Sequence, residues 1–159
     1  MKRLFTTVIS GVIAVMLLMG SAPAESLLSL DDAAALLGNS TAGTVFGEGE
    51  VYTTEDGSTE LGMVYETKLY GEVVKVYALD GGDGTIDAVS VWLHSGDDGV
   101  ETWLDRVAEY TGTEMQALPE SEASGMLSWS CRADGLVYTM RLLDDVLTLS
   151  INEAVGELR

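Results

Sequence analysis

The stretch Leu127–Asn152 reads LSWSCRADGLVYTMRLLDDVLTLSIN, and its pattern gives the clearest indication of the fold. Apolar and polar residues alternate along it, and the dipeptides Asp134-Gly135 and Asp144-Asp145 interrupt the alternation. A period of two is typical of half-buried strands, and short dipeptides of this composition are typical of hairpin turns. The stretch therefore predicts three antiparallel strands, over Leu127–Arg132, Leu136–Leu143 and Val146–Asn152.

Two-residue turns at both dipeptides fix the strand register. They set Trp129 opposite Met140 and Met140 opposite Leu149, so the large apolar residues of all three strands share one face. A slip of one residue would exchange the two faces, so we expect this register to be well specified. Cys131 falls on the apolar face, where we interpret it as a buried small hydrophobe. The opposite face then carries Ser128, Ser130, Arg132, Val137, Thr139, Arg141, Thr148 and Ser150.

Four further strands are predicted upstream by the same alternation and by the turn residues between its runs. They span Thr44–Thr53, Leu61–Tyr70, Val73–Leu79 and Ile86–Leu93. The expected core set of the last three is Met63, Tyr65, Thr67, Leu69, Val74, Val76, Ala78, Val89, Val91 and Leu93. Opposite it lie Val64, Glu66, Lys68, Tyr70, Val73, Lys75, Tyr77, Ala88, Ser90 and Trp92. Two turns are possible at Gly71. One sets Glu66 opposite Lys75, and the other sets Lys68 opposite Lys75.

Two helices complete the pattern. Ser29 begins a short helix that Gly38 ends, and apolar residues at helical spacing, including Trp103 and Val107, predict a second helix from about Asp98 to Tyr110. The acidic segment Glu114–Gly125 is interpreted as a linker.

The order is then helix, four strands, helix, three strands. It predicts an α+β fold in which an antiparallel sheet of about seven strands has two helices packed on one face.

The N-terminus predicts export. Lys2 and Arg3 precede the apolar run Leu4–Met19, and Ala22-Pro23-Ala24 provides the small residues of a cleavage site, a pattern typical of a bacterial signal peptide spanning residues 1–24. An uncleaved membrane anchor is the alternative interpretation. Cleavage after Ala24 would leave residues 25–159 as a single domain. This domain could consist of two half-repeats, 26–93 and 97–153. The expected location is extracytoplasmic, either secreted or associated with the cell envelope.

Composition excludes several classes of function. The chain of 159 residues has 26 acidic and 8 basic side chains and a net charge of −18, whereas a nucleic-acid binder needs a basic surface. One Cys excludes an intramolecular disulfide framework, and one His excludes the usual His-rich metal centres. Two of the eight basic residues lie in the signal segment, which leaves six in the mature chain.

Scarce cations and aromatic residues mark the candidate binding site. Four of the six remaining basic residues point to the non-core sheet face, together with three aromatic residues. Such a face suits a protein, a peptide or an envelope polymer that carries acidic groups. One alternative is that the N-terminal segment covers Tyr70, Tyr77 and Trp92, and the other is an ordinary solvated sheet surface. The candidate binding residues are Lys68, Tyr70, Lys75, Tyr77, Trp92, Arg132 and Arg141.

No catalytic site or cofactor is predicted. Asp80, Asp83 and Asp87 in a glycine-rich segment are weak calcium candidates, because acids at the first and third positions of an EF-hand loop are missing. His94-Ser95 lacks the Gly-x-Ser-x-Gly context of a hydrolase nucleophile. We therefore expect a non-enzymatic binding or inhibitor-like domain. The alternatives are an envelope accessory domain tethered by an uncleaved N-terminal helix, a calcium-responsive protein and a hydrolase with an unrecognised site.

Overall fold

The computed structural model describes residues 27–40, 45–94, 99–119 and 125–154 of the chain. The predicted signal peptide lies outside these residues. Among the described residues, no helix is both long and apolar enough to cross a membrane. In chain order the elements are α1 (Leu30–Ala34), β1 (Glu50–Thr53), β2 (Glu60–Leu69), β3 (Glu72–Asp80), β4 (Ile86–His94), α2 (Gly99–Thr111), β5 (Gln116–Ala117), β6 (Leu127–Ala133), β7 (Leu136–Leu143) and β8 (Val146–Glu153).

The strands form one antiparallel sheet of eight strands in the order β1-β2-β3-β4-β8-β7-β6-β5. The α+β class is confirmed, but the count of about seven strands is wrong. The additional strand, β5, lies within the segment Glu114–Gly125 that was interpreted as a linker. Its two residues pair with Ser130 and Trp129 of β6, and a run of two residues is too short to show alternation.

The sheet order divides the strands into two meanders. Strands β1 to β4 follow each other on one side, β5 to β8 follow each other on the other side, and β4 pairs with β8 between them. Each meander follows a helix along the chain, which is the arrangement that two half-repeats would give. Duplication of an ancestral half stays a hypothesis.

Tight turns with positive φ set the register of the second meander. Asp134 and Gly135 have φ values of 50° and 80°, and Asp144 and Asp145 have 48° and 64°. Both central residues of a type I′ turn need this left-handed conformation, which Asp tolerates better than most residues. The predicted pairs of Met140 with Trp129 and with Leu149 are confirmed.

The buried side of the sheet agrees with the predicted core set. Val76, Val91, Leu149 and Met140 lie in one row across four neighbouring strands and are fully buried. Cys131 is 7% exposed, which confirms its interpretation as a buried residue. Fully burying an aliphatic side chain of this size stabilises the fold by about 1.5–3 kcal/mol, so these rows account for much of the core.

Helix α1 begins at the predicted cap and ends earlier than expected. The Ser29 side chain accepts a hydrogen bond from the backbone of Asp31, and the Asp32 carboxylate accepts one from the Ser29 N–H in return. The helix ends at Ala34 because the following residues form turns, and the Gly38 N–H donates to the Ile86 carbonyl oxygen instead. Its Leu30 and Ala33 belong to the buried cluster.

Helix α2 packs on the buried side through its predicted apolar stripe. Trp103 and Val107 are buried in the same cluster as the strand residues. The ring of Trp103 lies 5.7 Å from that of Tyr70, and the Arg106 guanidinium lies 4.5 Å from the Trp103 ring centroid. Arg106 also forms a 2.7 Å ion pair with Glu72. Because both helices contribute to the cluster on this face, the opposite face of the sheet is where a site is expected.

Candidate functional site

The site lies on the face of the sheet opposite the buried cluster, which we call the open face. Strand pairing places side chains in continuous rows on it, one across six strands and one across seven. One row runs from Glu66 through Lys75, Trp92, Thr148 and Arg141 to Ser128. The next row runs from Glu50 through Val64, Tyr77, Ser90, Ser150 and Thr139 to Ser130.

Six of the seven predicted binding residues lie on the open face. These are Lys68, Lys75, Tyr77, Trp92, Arg132 and Arg141.

Tyr70 lies on the other side, and its expected place on the open face is corrected. Strand β2 ends at Leu69, and Tyr70 takes a turn conformation with φ of 51°. Its ring packs on Trp103 of helix α2, and its hydroxyl accepts a hydrogen bond from the Leu30 N–H. Strand alternation predicts the direction of a side chain only while the residue belongs to the strand.

An aromatic row crosses the open face near the β1 edge, formed by Tyr52, Tyr77 and Trp92. The ring centroids of Tyr52 and Tyr77 are 5.1 Å apart with planes at 76°, and those of Tyr77 and Trp92 are 5.4 Å apart with planes at 43°. Trp92 is 48% exposed and Tyr52 is 37% exposed. The row therefore presents apolar surface to solvent from the β1 edge to the centre of the sheet face.

Tyr52 was missed from the sequence, although Tyr77 and Trp92 were predicted. Strand β1 joins β2 through the turn between Thr53 and Glu60. This turn is too long to show from the sequence which residues of the two strands face each other. In the structure Tyr52 pairs with Gly62, whose φ of 138° and close approach to the Ala78 carbonyl group leave no room for a Cβ atom. A glycine within a strand opposite an aromatic residue was the available signal.

A groove of about 520 Å³ runs beside the aromatic row. Its lining includes Val73, Lys75, Tyr77, Trp92 and Val146 from strands β3, β4 and β8. A smaller hollow of about 160 Å³ continues toward β1 and shares Glu66 and Lys75 with the groove. A groove with aromatic walls and three charged lining residues, Glu66, Lys75 and Asp145, can hold part of a larger molecule.

The cations of the open face do not form one patch. Lys75 lies on β3 and Arg141 on β7, three inter-strand spacings apart, which is about 14 Å. Lys75 instead shares the hollow with Glu48, Glu50 and Glu66. The predicted pairing of Glu66 with Lys75 is confirmed, yet within the described part of the chain no carboxylate lies within 4 Å of the Lys75 ammonium.

Two of the three calcium candidates, Asp80 and Asp83, accept local hydrogen bonds. Asp80 accepts from the N–H groups of Gly82 and Gly84, at 2.7 and 3.0 Å, and Asp83 accepts from Thr85 at 2.9 Å. Across the described residues, no group of three or more His, Cys, Asp or Glu side chains is placed to hold a metal ion. The geometry of these residues is therefore that of a hairpin loop, and calcium binding there stays a prediction.

The tyrosine and cysteine side chains with clearly raised pKa values lie between helix α2 and the sheet. Burial raises the pKa values of Tyr138 and Tyr110, and the Tyr138 hydroxyl donates a hydrogen bond to Tyr110. Burial also raises the pKa of the Cys131 thiol. These groups belong to the buried side and do not line the groove. Of the His94-Ser95 pair considered as a hydrolase nucleophile site, Ser95 lies outside the described residues.

Comparison with known proteins identifies no relative. No protein-family model, no curated protein and no solved structure matches the chain. The geometry and chemistry of the open face are therefore the basis for assigning a function.

Proposed function

We propose that this protein is a secreted, acidic, non-enzymatic binding or inhibitor-like domain that uses its open face to hold a protein, a peptide or an envelope polymer. The observation that carries the proposal is the aromatic row with its adjoining groove. Trp92 is 48% exposed although it lies on β4, in the interior of the sheet. Aromatic side chains at the centre of a surface are typical of the residues that contribute most binding energy in protein interfaces.

The exposed surface of Trp92 is large enough to matter energetically. A tryptophan side chain has roughly 250 Å² of surface, and 48% of this residue is accessible. Covering about half of such a side chain contributes about 2–3 kcal/mol at roughly 25 cal/mol per Å². Loss of that contribution corresponds to a change in affinity of about 30-fold to 150-fold.

The place of action follows from the sequence of the N-terminal segment. A cationic start, an apolar run and an Ala-Pro-Ala motif support export of residues 25–159 and their release from the membrane. We accordingly place the binding partner outside the cytoplasm, either in the cell envelope or beyond it. The six basic residues of the mature chain, set against its many acids, support no role in nucleic-acid binding.

Capture from the envelope fraction of the producing cell tests the proposal. The wild-type protein and two variants, Trp92→Ala and Val51→Ala, are immobilised, and the bound components are identified by mass spectrometry. We expect a component that wild type and Val51→Ala both retain and that Trp92→Ala loses. Val51 is the control because it is exposed and neighbours Tyr52 on β1, while pointing to the opposite side of the strand.

Equal retention by all three proteins would contradict the use of the open face. Each variant is first checked for a cooperative urea transition, so that loss of binding is not confused with unfolding. Trp92 is well suited to truncation, because nearly half of its side chain makes no contact within the described protein.

A further inference from the structure

The open face raises the question of which ligand its charges favour. The cations led to the expectation of an acidic partner, but the structure places carboxylates, rather than further cations, around the aromatic row. Glu48, Glu50 and Glu66 line the hollow at its β1 end, and Lys75 is the single cation among the lining residues there. The local charge is therefore negative, like that of the whole chain.

From this we infer that the groove beside Tyr52, Tyr77 and Trp92 binds an extended basic peptide segment of a partner protein, with its Lys or Arg side chains directed to Glu48, Glu50 and Glu66. This inference rests on the proposed function of the open face and specifies the chemistry of its ligand. It reverses the sign of charge that the sequence led us to expect.

Ring geometry favours a peptide over a sugar polymer. The ring planes of the aromatic row are inclined at 76° and 43° to each other, so they do not form a flat platform on which a sugar ring could stack. The rings are in contact with each other, so together they present an uneven apolar surface against which individual side chains of a peptide can pack. The row crosses four strands, about 14 Å, which is the length of four to five residues of extended chain.

Charge and aromatic rings act together on a basic side chain. A guanidinium or ammonium group over an exposed ring face gains from the ring quadrupole, and a carboxylate nearby adds Coulomb attraction. Glu66 lies opposite Lys75, and Lys75 lies opposite Trp92. The carboxylate and the indole ring are therefore two strands apart, about 10 Å, which the long side chains of Arg and Lys can span.

Three ten-residue peptides test the inference in the full-length protein. One alternates Arg with Val, one alternates Glu with Val, and one alternates Ser with Val. Binding is followed by the fluorescence of Trp92, which is exposed on the open face, whereas Trp103 and Trp129 pack in or against the buried cluster. We expect the Arg peptide to bind, the Ser peptide to bind more weakly and the Glu peptide not to bind.

Charge-reversal variants show whether the effect is local. Glu66→Lys and Glu50→Lys should each weaken binding of the Arg peptide about tenfold, because each replaces an attraction with a repulsion. Lys75→Glu should strengthen it. Glu101→Lys is the control, since it changes the net charge equally but lies on helix α2 and is exposed. Glu50 on the edge strand is the second variant in case reversal at Glu66, opposite Lys75, prevents folding.

The outcomes separate the inference from the proposed function. Tighter binding of the Glu peptide, weakened by Lys75→Glu and by Trp92→Ala, would overturn the basic ligand and leave open-face binding intact. An equal loss with Glu101→Lys and Glu66→Lys would reduce the effect to net charge and overturn the inference. Failure of all three peptides to bind would also overturn it. If Trp92→Ala then retains every envelope component that wild type captures, the proposed function falls as well.

Discussion

Gly62 lies within β2 directly beneath the aromatic row, where Tyr52 pairs with it across the edge of the sheet. Its φ of 138° is a conformation that other residues rarely adopt, and a Cβ atom at this position would overlap the carbonyl oxygen of Ala78. The glycine therefore allows close approach of β2 to β3 at this position.

Gly62→Ala should lower the free energy of unfolding by more than about 2 kcal/mol, because it adds backbone strain and a steric overlap within the sheet. Urea denaturation measures the change. Gly57→Ala is the matched control, since Gly57 has φ of 69° but no atom within 4 Å of the place that a Cβ atom would take, so only strain of about 1 kcal/mol is added. Equal losses for the two variants would show that the overlap with Ala78 is relieved at little cost.

Residue-level prediction from the sequence succeeded within strands and failed where they end. The alternation placed Lys75, Tyr77 and Trp92 correctly on one face, because each lies inside a continuous ladder. Tyr70 follows the last residue of β2 and turns toward Trp103 instead. Its destination depends on a contact with a helix about thirty residues further along the chain, which alternation along a strand does not encode.

Among the secondary-structure elements, helix α2 and strand β7 are connected by a pair of tyrosine side chains. The rings of Tyr110 and Tyr138 lie 6.1 Å apart, and the Tyr110 hydroxyl is 3.4 Å from Asp31 of helix α1. The chain of hydroxyl groups thus connects both helices to the sheet. Burial disfavours a charged phenolate at Tyr138 and raises its pKa.

The raised tyrosine pKa predicts a loss of stability at alkaline pH. A tyrosine in the unfolded chain loses its proton near its ordinary pKa of 10.0, while folded Tyr138 keeps it. The unfolded state then binds fewer protons than the folded state, so the free energy of unfolding falls as the pH rises above about 10. Urea midpoints at pH 9, 10 and 11 should fall for wild type and fall less steeply for Tyr138→Phe.

Tyr52→Phe provides the control for this measurement, because it removes the hydroxyl of a partly exposed tyrosine on the open face. It should retain the wild-type dependence on pH. A Tyr138→Phe variant that loses stability as steeply as wild type would assign the alkaline effect to Tyr110, Cys131 or the overall charge. The slope of the variant is expected to be shallower and not flat, since burial also raises the pKa values of Tyr110 and Cys131.

The position of a strand in the sheet could be predicted where a short turn fixes its register. The two-residue turns at 134–135 and 144–145 each allow one register between the strands that they join. Strands β6, β7 and β8 were therefore placed in register from the sequence. Strand β1 was recognised but not placed, because the long turn before β2 leaves its register open. Strand β5 was missed, since its two residues pair with β6 through backbone groups and carry no side-chain pattern.

At the scale of the whole molecule, two meanders meet at the β4–β8 pair and produce one continuous sheet. One face is covered by the helices, and the central strands of the other expose Trp92, Val73 and Val146. Acidic residues dominate the turns, and the carboxylates of Glu48, Glu50 and Glu66 bring that excess to the edge of the groove. The overall charge and the local charge of the site therefore have the same sign, and both favour a basic partner.

The same charge excess predicts that salt stabilises the protein. A net charge of −18 makes repulsion between carboxylates the dominant long-range electrostatic effect in the folded state. The ion pair between Arg106 and Glu72 is partly exposed and contributes at most about 1 kcal/mol, so screening it costs little by comparison. Raising NaCl from about 0.02 M to about 0.5 M shortens the Debye length from about 20 Å to about 4 Å. The melting temperature at pH 7 should then rise by roughly 5 °C.

Calorimetry at pH 4 supplies the control for the salt effect. Many carboxylates are protonated there, so the repulsion that salt screens is smaller and the rise in melting temperature should shrink. Chloride is used because sulfate would also strengthen burial of apolar groups. A melting temperature that does not change with NaCl at pH 7 would mean that the acids are too far apart to repel one another.

The same screening should weaken binding of the Arg peptide, because its attraction to Glu50 and Glu66 is also Coulombic. Salt would therefore stabilise the fold and weaken the complex, which distinguishes charge attraction from burial of Trp92 as the source of affinity.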